Sequence, residues 1–432
     1  MKYRYIKWLL AIYALSSSLA FAEESNVIPS LGNGLTLKAA IQRAITHSPK
    51  LQSSDASRLS SRGERKQAGL WQNPELGVMA ENIGGSGSYK GLDSAEITYG
   101  VTQLIEIGGK RDARVTLAER DIDLANYDYQ AAHLDLIRDV TRAFVEAVAL
   151  NEEVKLAHEQ QKLSEDVLQI VTRRVDAARE PLIQKSKANV ALATSRIALE
   201  KSEREFDTAK KLLSSLMGDS SGDVTALDSS DFYTITEPVV VANAKDALDR
   251  NPDVARWKPA LARYEAALDL EKANAVPDPR MTAGFRDFRD TNTNAFVVGL
   301  SIPIPILNQN QGNIAKARAN VTKTTHDQRS SELAFGSELT KNLQAQKAAY
   351  SQATMLRETI LPEAKQAFSL SRQGYDAGKF AYLEVLDAER TMAQVQLQYI
   401  EALKEYHSQR ANVERLTAVY LPDVSKFEEK ND

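Results

Sequence analysis

The amino-acid sequence predicts a mainly α-helical chain with a small β part, built from two copies of one structural repeat. Two long stretches, 110–174 and 312–373, consist largely of good helix formers. A turn-like segment, Val175–Ala188, recurs two hundred residues later as Tyr375–Ala388. A pair of strand-like segments precedes each long helical stretch. Repetition at a fixed spacing indicates that each half is a helix, two strands and a long helical hairpin.

Composition excludes several classes of protein. The 432 residues carry a formal charge of -4, and no basic run is present, which argues against a nucleic-acid surface. Charged residues make up 26% and the mean hydropathy is -0.37, which argues against a bundle of membrane helices. The chain has no cysteine, so it has no disulfide, thiolate metal site or cysteine nucleophile.

Residues 1–22 have the pattern of a secretory signal peptide. Basic residues precede a short apolar run from Trp8 to Leu15, and Ala20-Phe21-Ala22 fits a cleavage site between small residues. An N-terminal anchor helix is the alternative, but the apolar run is shorter than the ~20 residues that span a bilayer. We therefore expect an exported protein.

The first repeat is predicted to cover 23–218. It starts with helical spacing from Leu35 to Gly69, with a helix boundary at Pro49. Pro181 fits the first turn of the return helix. The other elements are strands at about 75–83 and 96–107 and long helices at about 110–174 and 181–217.

A polar connector at 219–243, with a possible short strand at Phe232–Ile235, leads to the second repeat, 244–420. Pro303 and Pro305 cannot occupy a central strand and suggest that the last strand ends near them. Pro362 is expected to interrupt the third long helix. The predicted elements are strands at about 280–287 and 295–306, long helices at about 312–373 and 381–419, and a tail at 421–432.

Four strands are too few to close a barrel, and an open sheet leaves two edges exposed. Three chains would supply twelve strands, an even number in the range of outer-membrane barrels. Periodicity alone does not fix the number three. A soluble coiled-coil rod is the alternative, although the matching strand pairs in both halves argue against it.

Three motifs resemble a known family. Gln103–Arg111 reads Q-L-I-E-I-G-G-K-R, Ser301–Asn313 reads S-I-P-I-P-I-L-N-Q-N-Q-G-N, and the segment from Tyr375 fits Y-x-x-G-x-x-x-x-x-E-V-L-D-A. Together they are similar to the TolC-like outer membrane factors, in particular the cobalt-zinc-cadmium resistance branch. The resemblance extends over essentially the whole mature chain.

The resemblance implies a homotrimer, with a 12-stranded barrel in the outer membrane and a long α-helical barrel in the periplasm. It implies a passive exit channel of a tripartite efflux system, exporting divalent heavy-metal cations such as cobalt, zinc and cadmium. The expected partners are outer-membrane lipid, a periplasmic adaptor and an inner-membrane RND pump. No enzymatic activity, catalytic residue or cofactor is implied. The alternatives are a drug-efflux or type I secretion channel, or a non-pore periplasmic coiled-coil protein with a structural or adaptor role.

The resemblance also places site residues at the ends of the two hairpins. Glu384 and Asp387 fall on the positions of an acidic pore gate, although ordinary solvated helix charges remain the alternative reading. In the first repeat, Ala178 replaces the usual glycine and Gln184 stands where an acid is often found. Gate-closing contacts are assigned to Tyr375, Lys379 and Gln184, and adaptor docking to Val175, Ala178, Arg179, Gly378 and Phe380.

No metal or catalytic site is predicted. The five histidines are scattered, without the close spacing that metal ligands usually show. No Ser-His-Asp or paired-carboxylate constellation with supporting context is present. If the channel carries metal ions, we expect selection to occur upstream, in the pump and adaptor.

Overall fold

A computed structural model describes residues 34–222, 224, 226–238 and 248–421. The predicted signal peptide lies outside the described residues, as do part of the connector and all of the tail after Leu421. Within this part of the chain, no helix has an apolar stretch long enough to cross a membrane.

The predicted mainly α-helical fold with a small β part is confirmed, and the two halves repeat the same order of elements. The first half contains α1 (Leu37–His47), α2 (Pro49–Ala68), β1 (Glu75–Glu81), β2 (Glu96–Leu104), α3 (Lys110–Asp176) and α4 (Leu182–Leu216). The second half contains α5 (Pro252–Ala255), α6 (Trp257–Asn274), β3 (Arg280–Phe288), β4 (Thr293–Ser301), α7 (Gln311–Met355), α8 (Leu361–Asp376) and α9 (Tyr382–Leu416).

Prolines set helix starts at matching places in the two halves. Pro49 opens α2 and Pro252 opens α5. A proline is tolerated there because the first helical N–H has no partner within the helix. The Asn251 side chain caps α5 by accepting from the backbone N–H of Asp253 at 2.9 Å. Pro181 differs from its predicted place in the first turn, because it is the residue that caps α4.

The long helices of the two repeats differ in continuity. α3 runs for 67 residues without interruption, which corresponds to about 100 Å at 1.5 Å per residue. Its counterpart is broken into α7 and α8 by a π-helical turn at Leu356–Ile360. Pro362 follows in the first turn of α8. Since Pro362 has no N–H to donate to the preceding turn, the regular bonding is interrupted there.

The four strands form one antiparallel sheet in the order β1-β2-β3-β4. The β2–β3 pairing joins the two halves, while β1 and β4 are open edges. β2 ends at Leu104 and β4 at Ser301, both before their predicted ends at 107 and 306. Pro303 and Pro305 explain the early end of β4, because neither can donate to a ladder.

The two faces of the sheet have opposite character. Paired residues share a face, and each strand alternates between the faces. Phe296 is 94% exposed and Leu76 is 80% exposed, both on the apolar face. Large exposed apolar side chains on this face are Leu76, Val78, Tyr99, Val101, Met281, Phe285, Phe296, Val298 and Leu300. The other face carries Glu75, Glu96, Thr98, Thr102, Thr282 and Arg286. Such alternation is typical of strands that separate lipid from a polar interior.

The segment between β2 and α3 ties the two halves together. The backbone N–H of Ile105 donates to the carbonyl oxygen of Pro279 at 3.0 Å, and that of Ile107 donates to Asp278 Oδ1 at 3.0 Å. Lys110, the first residue of α3, places Nζ 2.6 Å from Asp278 Oδ2, and both side chains are largely buried. We call residues 105–110 with 276–279 the intrachain junction.

Buried apolar residues form two clusters along the helices. The larger one lies where α1 and the connector cover α3 and α9, around Val140, Phe144 and Leu403. Leu35 and Leu227 of the connector form an isolated parallel β-bridge. The predicted strand at Phe232–Ile235 is wrong. The backbone N–H groups of Phe232 and Thr234 donate to the carbonyls of Ser229 and Asp231, so the segment forms turns. The Phe232 ring is buried against His407.

Candidate gate at the helical hairpin tips

The first hairpin tip is a tight turn built from the last turn of α3. The backbone N–H of Ala178 donates to the Val175 carbonyl at 2.9 Å, and that of Arg179 donates to the Arg174 carbonyl at 2.9 Å. This pair of bonds is a Schellman motif, which satisfies the free carbonyls at a helix end. Ala178 has φ 55°, in the left-handed region. That conformation is strained for a residue with a Cβ.

The second hairpin tip repeats the motif with glycine at the strained position. Gly378 has φ 71°, and its N–H donates to the Tyr375 carbonyl at 2.9 Å. The N–H of Lys379 donates to the Gly374 carbonyl at 2.8 Å. The departure noticed in the sequence, Ala178 in place of a glycine, therefore changes the cost of the turn but not its geometry.

Arg174 connects the two tips. Its Nη2 donates to the Tyr375 carbonyl at 2.8 Å, and its guanidinium carbon lies 4.1 Å from the centroid of the Tyr375 ring. Its Nη1 lies 3.8 Å from Glu180 Oε1. The sequence reasoning missed Arg174, because its contacts come from the other repeat and leave no local pattern. The matching position in the second repeat is Gly374.

Tyr375 lies inside the chain rather than on its outer surface. Only 3% of the residue is exposed, and burial raises the pKa of its hydroxyl. It belongs to a cluster in which α3 packs against α9, which we call the tip cluster: Val167, Val171, Ala188, Tyr375, Tyr382, Val385 and Leu386. The contacts of Tyr375 in a single chain therefore hold the two hairpins together, and a gate-closing contact between chains stays a prediction.

Glu384 and Asp387 are both exposed in the first turns of α9. Their spacing of three residues puts them on one helix face. Tyr382, Val385 and Leu386 of the same helix are buried in the tip cluster. The carboxylates are thus free to face a neighbouring chain or a pore, while the solvated-charge reading remains open within one chain.

Glu389, one turn further along α9, is buried where α9 packs on α3. Only 7% of the residue is exposed. Burial raises the pKa of its carboxyl to about 7, against smaller opposing effects of Arg390 and of a hydrogen bond with Ser164 of α3. The sequence reasoning missed this residue. The available signal was an acid in line with Tyr382 and Val385, at the spacing of the buried stripe.

The other predicted site residues lie around the same turns. Lys379, Phe380 and Arg179 are exposed, and Val175 is half-buried against the tip cluster. Gln184 is half-buried, and its side-chain oxygen has no hydrogen-bond partner among the described residues. The geometry brings all of these residues to one end of the molecule. Their roles in gate closure and docking stay predictions.

The described residues contain no group of three or more histidine or acidic side chains that could hold a metal ion. Three of the acids at this end, Glu384, Asp387 and Glu389, are on one helix, and the first two are exposed while the third is buried. This arrangement can attract cations but does not form a coordination shell, which needs several converging ligands.

Comparison with known proteins gives consistent matches over nearly the whole chain. A family model described as outer membrane efflux protein matches residues 40–219 and 243–419. The cobalt-zinc-cadmium resistance protein CzcC of Cupriavidus metallidurans is 28% identical, over 94% of this chain and 97% of its own. The nickel and cobalt resistance protein CnrC of the same organism is 28% identical, over 71% of this chain and 70% of its own.

Solved structures have the same fold. The crystal structure of the Campylobacter jejuni CmeC outer membrane channel matches with a TM-score of 0.77 at 13% identity, covering 91% of this chain and 88% of that one.

Proposed function

Because the chain belongs to the outer membrane efflux protein family, we propose that it is the homotrimeric exit channel of a tripartite pump for divalent heavy-metal cations. Membership of this family makes the protein an outer-membrane efflux channel of the TolC type and not an enzyme. It also removes the alternative of a periplasmic coiled-coil protein without a pore. The trimer, the substrate, the partners and the gate are the proposed parts.

The two-faced sheet with open edges is the observation that carries the proposal. Its apolar face exposes large side chains such as Phe296 and Leu76, which suits contact with lipid. Its polar face carries Arg286. The Nη2 atom of this residue lies 2.9 Å from Glu81 Oε2, and its Nη1 atom lies 2.8 Å from Glu96 Oε2. Charged groups of this kind suit a water-filled lumen. Three copies would give twelve strands and close both edges.

The relatives support metal ions as the substrate. The two relatives described above are named for resistance to cobalt, zinc, cadmium and nickel. Exposed carboxylates at Glu384 and Asp387 suit the passage of cations. In a trimer they would form two rings of like charge at the periplasmic end of the pore.

The hairpin tips support a docking site for a periplasmic adaptor, which would link the channel to an inner-membrane RND pump. Both tips expose side chains at the end of the helices, including Arg179 and Phe380. The Schellman turns fix the backbone at this end, so a partner would meet a defined surface. Substitution of Phe380 by serine should weaken adaptor binding without changing trimer formation.

The substrate is tested by deleting the gene and measuring growth with metal salts and with drugs. We expect reduced tolerance of cobalt, zinc, cadmium or nickel, restored by the wild-type gene. Unchanged metal tolerance with lost drug tolerance would instead support the drug-efflux alternative. Loss of a secreted protein with unchanged tolerance of both would support the type I secretion alternative.

A further inference from the structure

We propose that the seam between two copies reproduces the intrachain junction, with Leu300 of β4 directly opposite the partner's Val78. This proposal rests on the trimer of the proposed function and specifies which residues meet in it. The occupant of the open edges is a second copy of this chain, because its β1 edge carries the alternation that β4 requires.

An apolar surface follows β4 and is uncovered in a single chain. Ile302, Ile304, Ile306 and Leu307 are 52%, 79%, 76% and 89% exposed. Four consecutive large apolar residues of this kind, separated only by prolines, are unusual on a surface that stays in water. The corresponding segment of the first repeat, 105–107, is instead held in the intrachain junction by bonds to 278–279.

The internal repeat provides the register. Pro74 before β1 matches Pro279 before β3, so Val78 corresponds to Ala283 and Leu76 to Met281. Leu76 pairs with Val101 and Met281 pairs with Leu300, so Val101 corresponds to Leu300. Val101 and Ala283 are directly opposite each other where the halves meet. The same geometry across the open edges puts Leu300 opposite the partner's Val78. Both belong to the apolar face, and a slip by one residue would mix the two faces.

The polar contact of the junction also has a counterpart. Gln311 is the first residue of α7, as Lys110 is of α3. Asn73 precedes the proline before β1, as Asp278 precedes the proline before β3. The ion pair between Lys110 and Asp278 inside one chain therefore corresponds to the amides of Gln311 and the partner's Asn73 at the seam. Neutral amides suit an interface that forms late, because a copy without its partner leaves no unpaired charge to be buried.

Cysteine crosslinking tests this register, because the chain has no native cysteine. The test variant carries Val78→Cys with Leu300→Cys. Directly opposite residues lie within disulfide range, whereas diagonal neighbours lie about 7–8 Å apart. The shifted control carries Ala80→Cys with Leu300→Cys. The positive control carries Val101→Cys with Ala283→Cys and should form a bond only within one chain.

After oxidation of membranes, we expect the test variant to migrate as linked dimers and trimers on a non-reducing gel, with loss of these bands in reductant. The shifted control should stay monomeric. A disulfide link in the shifted control alone would overturn the register. The absence of a link in both variants would overturn it as well. An amine-reactive crosslinker applied to the same membranes reports the trimer independently. Failure to capture trimers in that assay would refute the proposed assembly itself, whereas trimers without the cysteine link would refute only the seam.

Discussion

Substitution of Glu389 by glutamine should stabilise the packed hairpin tip above neutral pH and have little effect at low pH. The carboxyl lies between α3 and α9 and has a pKa raised to about 7, mainly by burial. The charge of Arg390 on α9 and a hydrogen bond with the Ser164 side chain of α3 favour the ionised form, but less strongly than burial opposes it. Tyr382 of the tip cluster lies two turns earlier on α9, and burial, with a smaller contribution from the charge of Glu389, raises the pKa of its hydroxyl to about 12.

The magnitude follows from the displacement of the carboxyl pKa. Its ordinary value is 4.5 and its value in the packed tip is about 7, so at 1.36 kcal/mol per unit the cost of ionising it is about 3 kcal/mol. Below pH 4.5 the group is neutral in both the packed and the opened tip, and no cost exists. Between pH 4.5 and 7 the opened tip ionises first, so packing is progressively weakened. Above pH 7 the full cost applies, and glutamine avoids it at every pH.

Amide hydrogen exchange measured by mass spectrometry reports this local equilibrium. In peptides from the start of α9, and after correction for intrinsic exchange rates, Glu389→Gln should slow exchange about 100-fold at pH 8, since each 1.4 kcal/mol is a factor of ten. At pH 5 the change should be much smaller. Glu405→Gln, at an exposed position of the same helix, is the matched control and should leave the exchange rates of these peptides unchanged at both pH values. If Glu389→Gln slowed exchange equally at both pH values, or did not slow it at pH 8, the reasoning would be refuted.

Three further predictions concern the tips. Ala178→Gly should raise the stability of the purified channel by about 1 kcal/mol and Gly378→Ala should lower it by a similar amount, because only glycine is unstrained at these φ values; thermal melting compares the pair. Arg174→Gln should remove the link to the Tyr375 ring and speed proteolysis at the tips, and cleavage at the wild-type rate would contradict that role. Glu384→Gln with Asp387→Asn should reduce cation selectivity in planar bilayers, measured as the reversal potential in a salt gradient, and an unchanged potential would exclude both residues from the filter.

Local patterns in the sequence predicted the elements well where they decide the structure alone. The long helix α3 has an uninterrupted run of good helix formers, and it starts at Lys110 as expected and ends two residues past its predicted end. Pro303 indicated that β4 would end nearby, although it ends before the proline rather than after it. The segment Phe232–Ile235 has strand-forming residues, but the Phe232 ring packs against His407, and this tertiary contact favours a turn over a strand.

The candidate site was less predictable, because its geometry depends on contacts between the repeats. The sequence spacing alone placed Glu384 and Asp387 on one face of a helix. It did not reveal that Arg174 reaches Tyr375 from the other hairpin, since nothing local marks an arginine for a partner two hundred residues away. It also did not reveal that Glu389 is buried, because the packing of α3 on α9 decides which acidic side chain of α9 is removed from solvent.

The unequal continuity of the long helices gives the two hairpins different mechanical stiffness. α3 is a single rod from the sheet to the tip, whereas its counterpart has a joint at Leu356–Ile360. Bending concentrates at such π-helical turns. If the tips separate, we expect the second hairpin to move and the first hairpin, with its continuous α3, to stay in place. The carboxylates of Glu384 and Asp387 lie on α9, which the Gly378 turn joins to α8, so a rotation of α8 about the π-helical turn would be passed through this turn to the charged end.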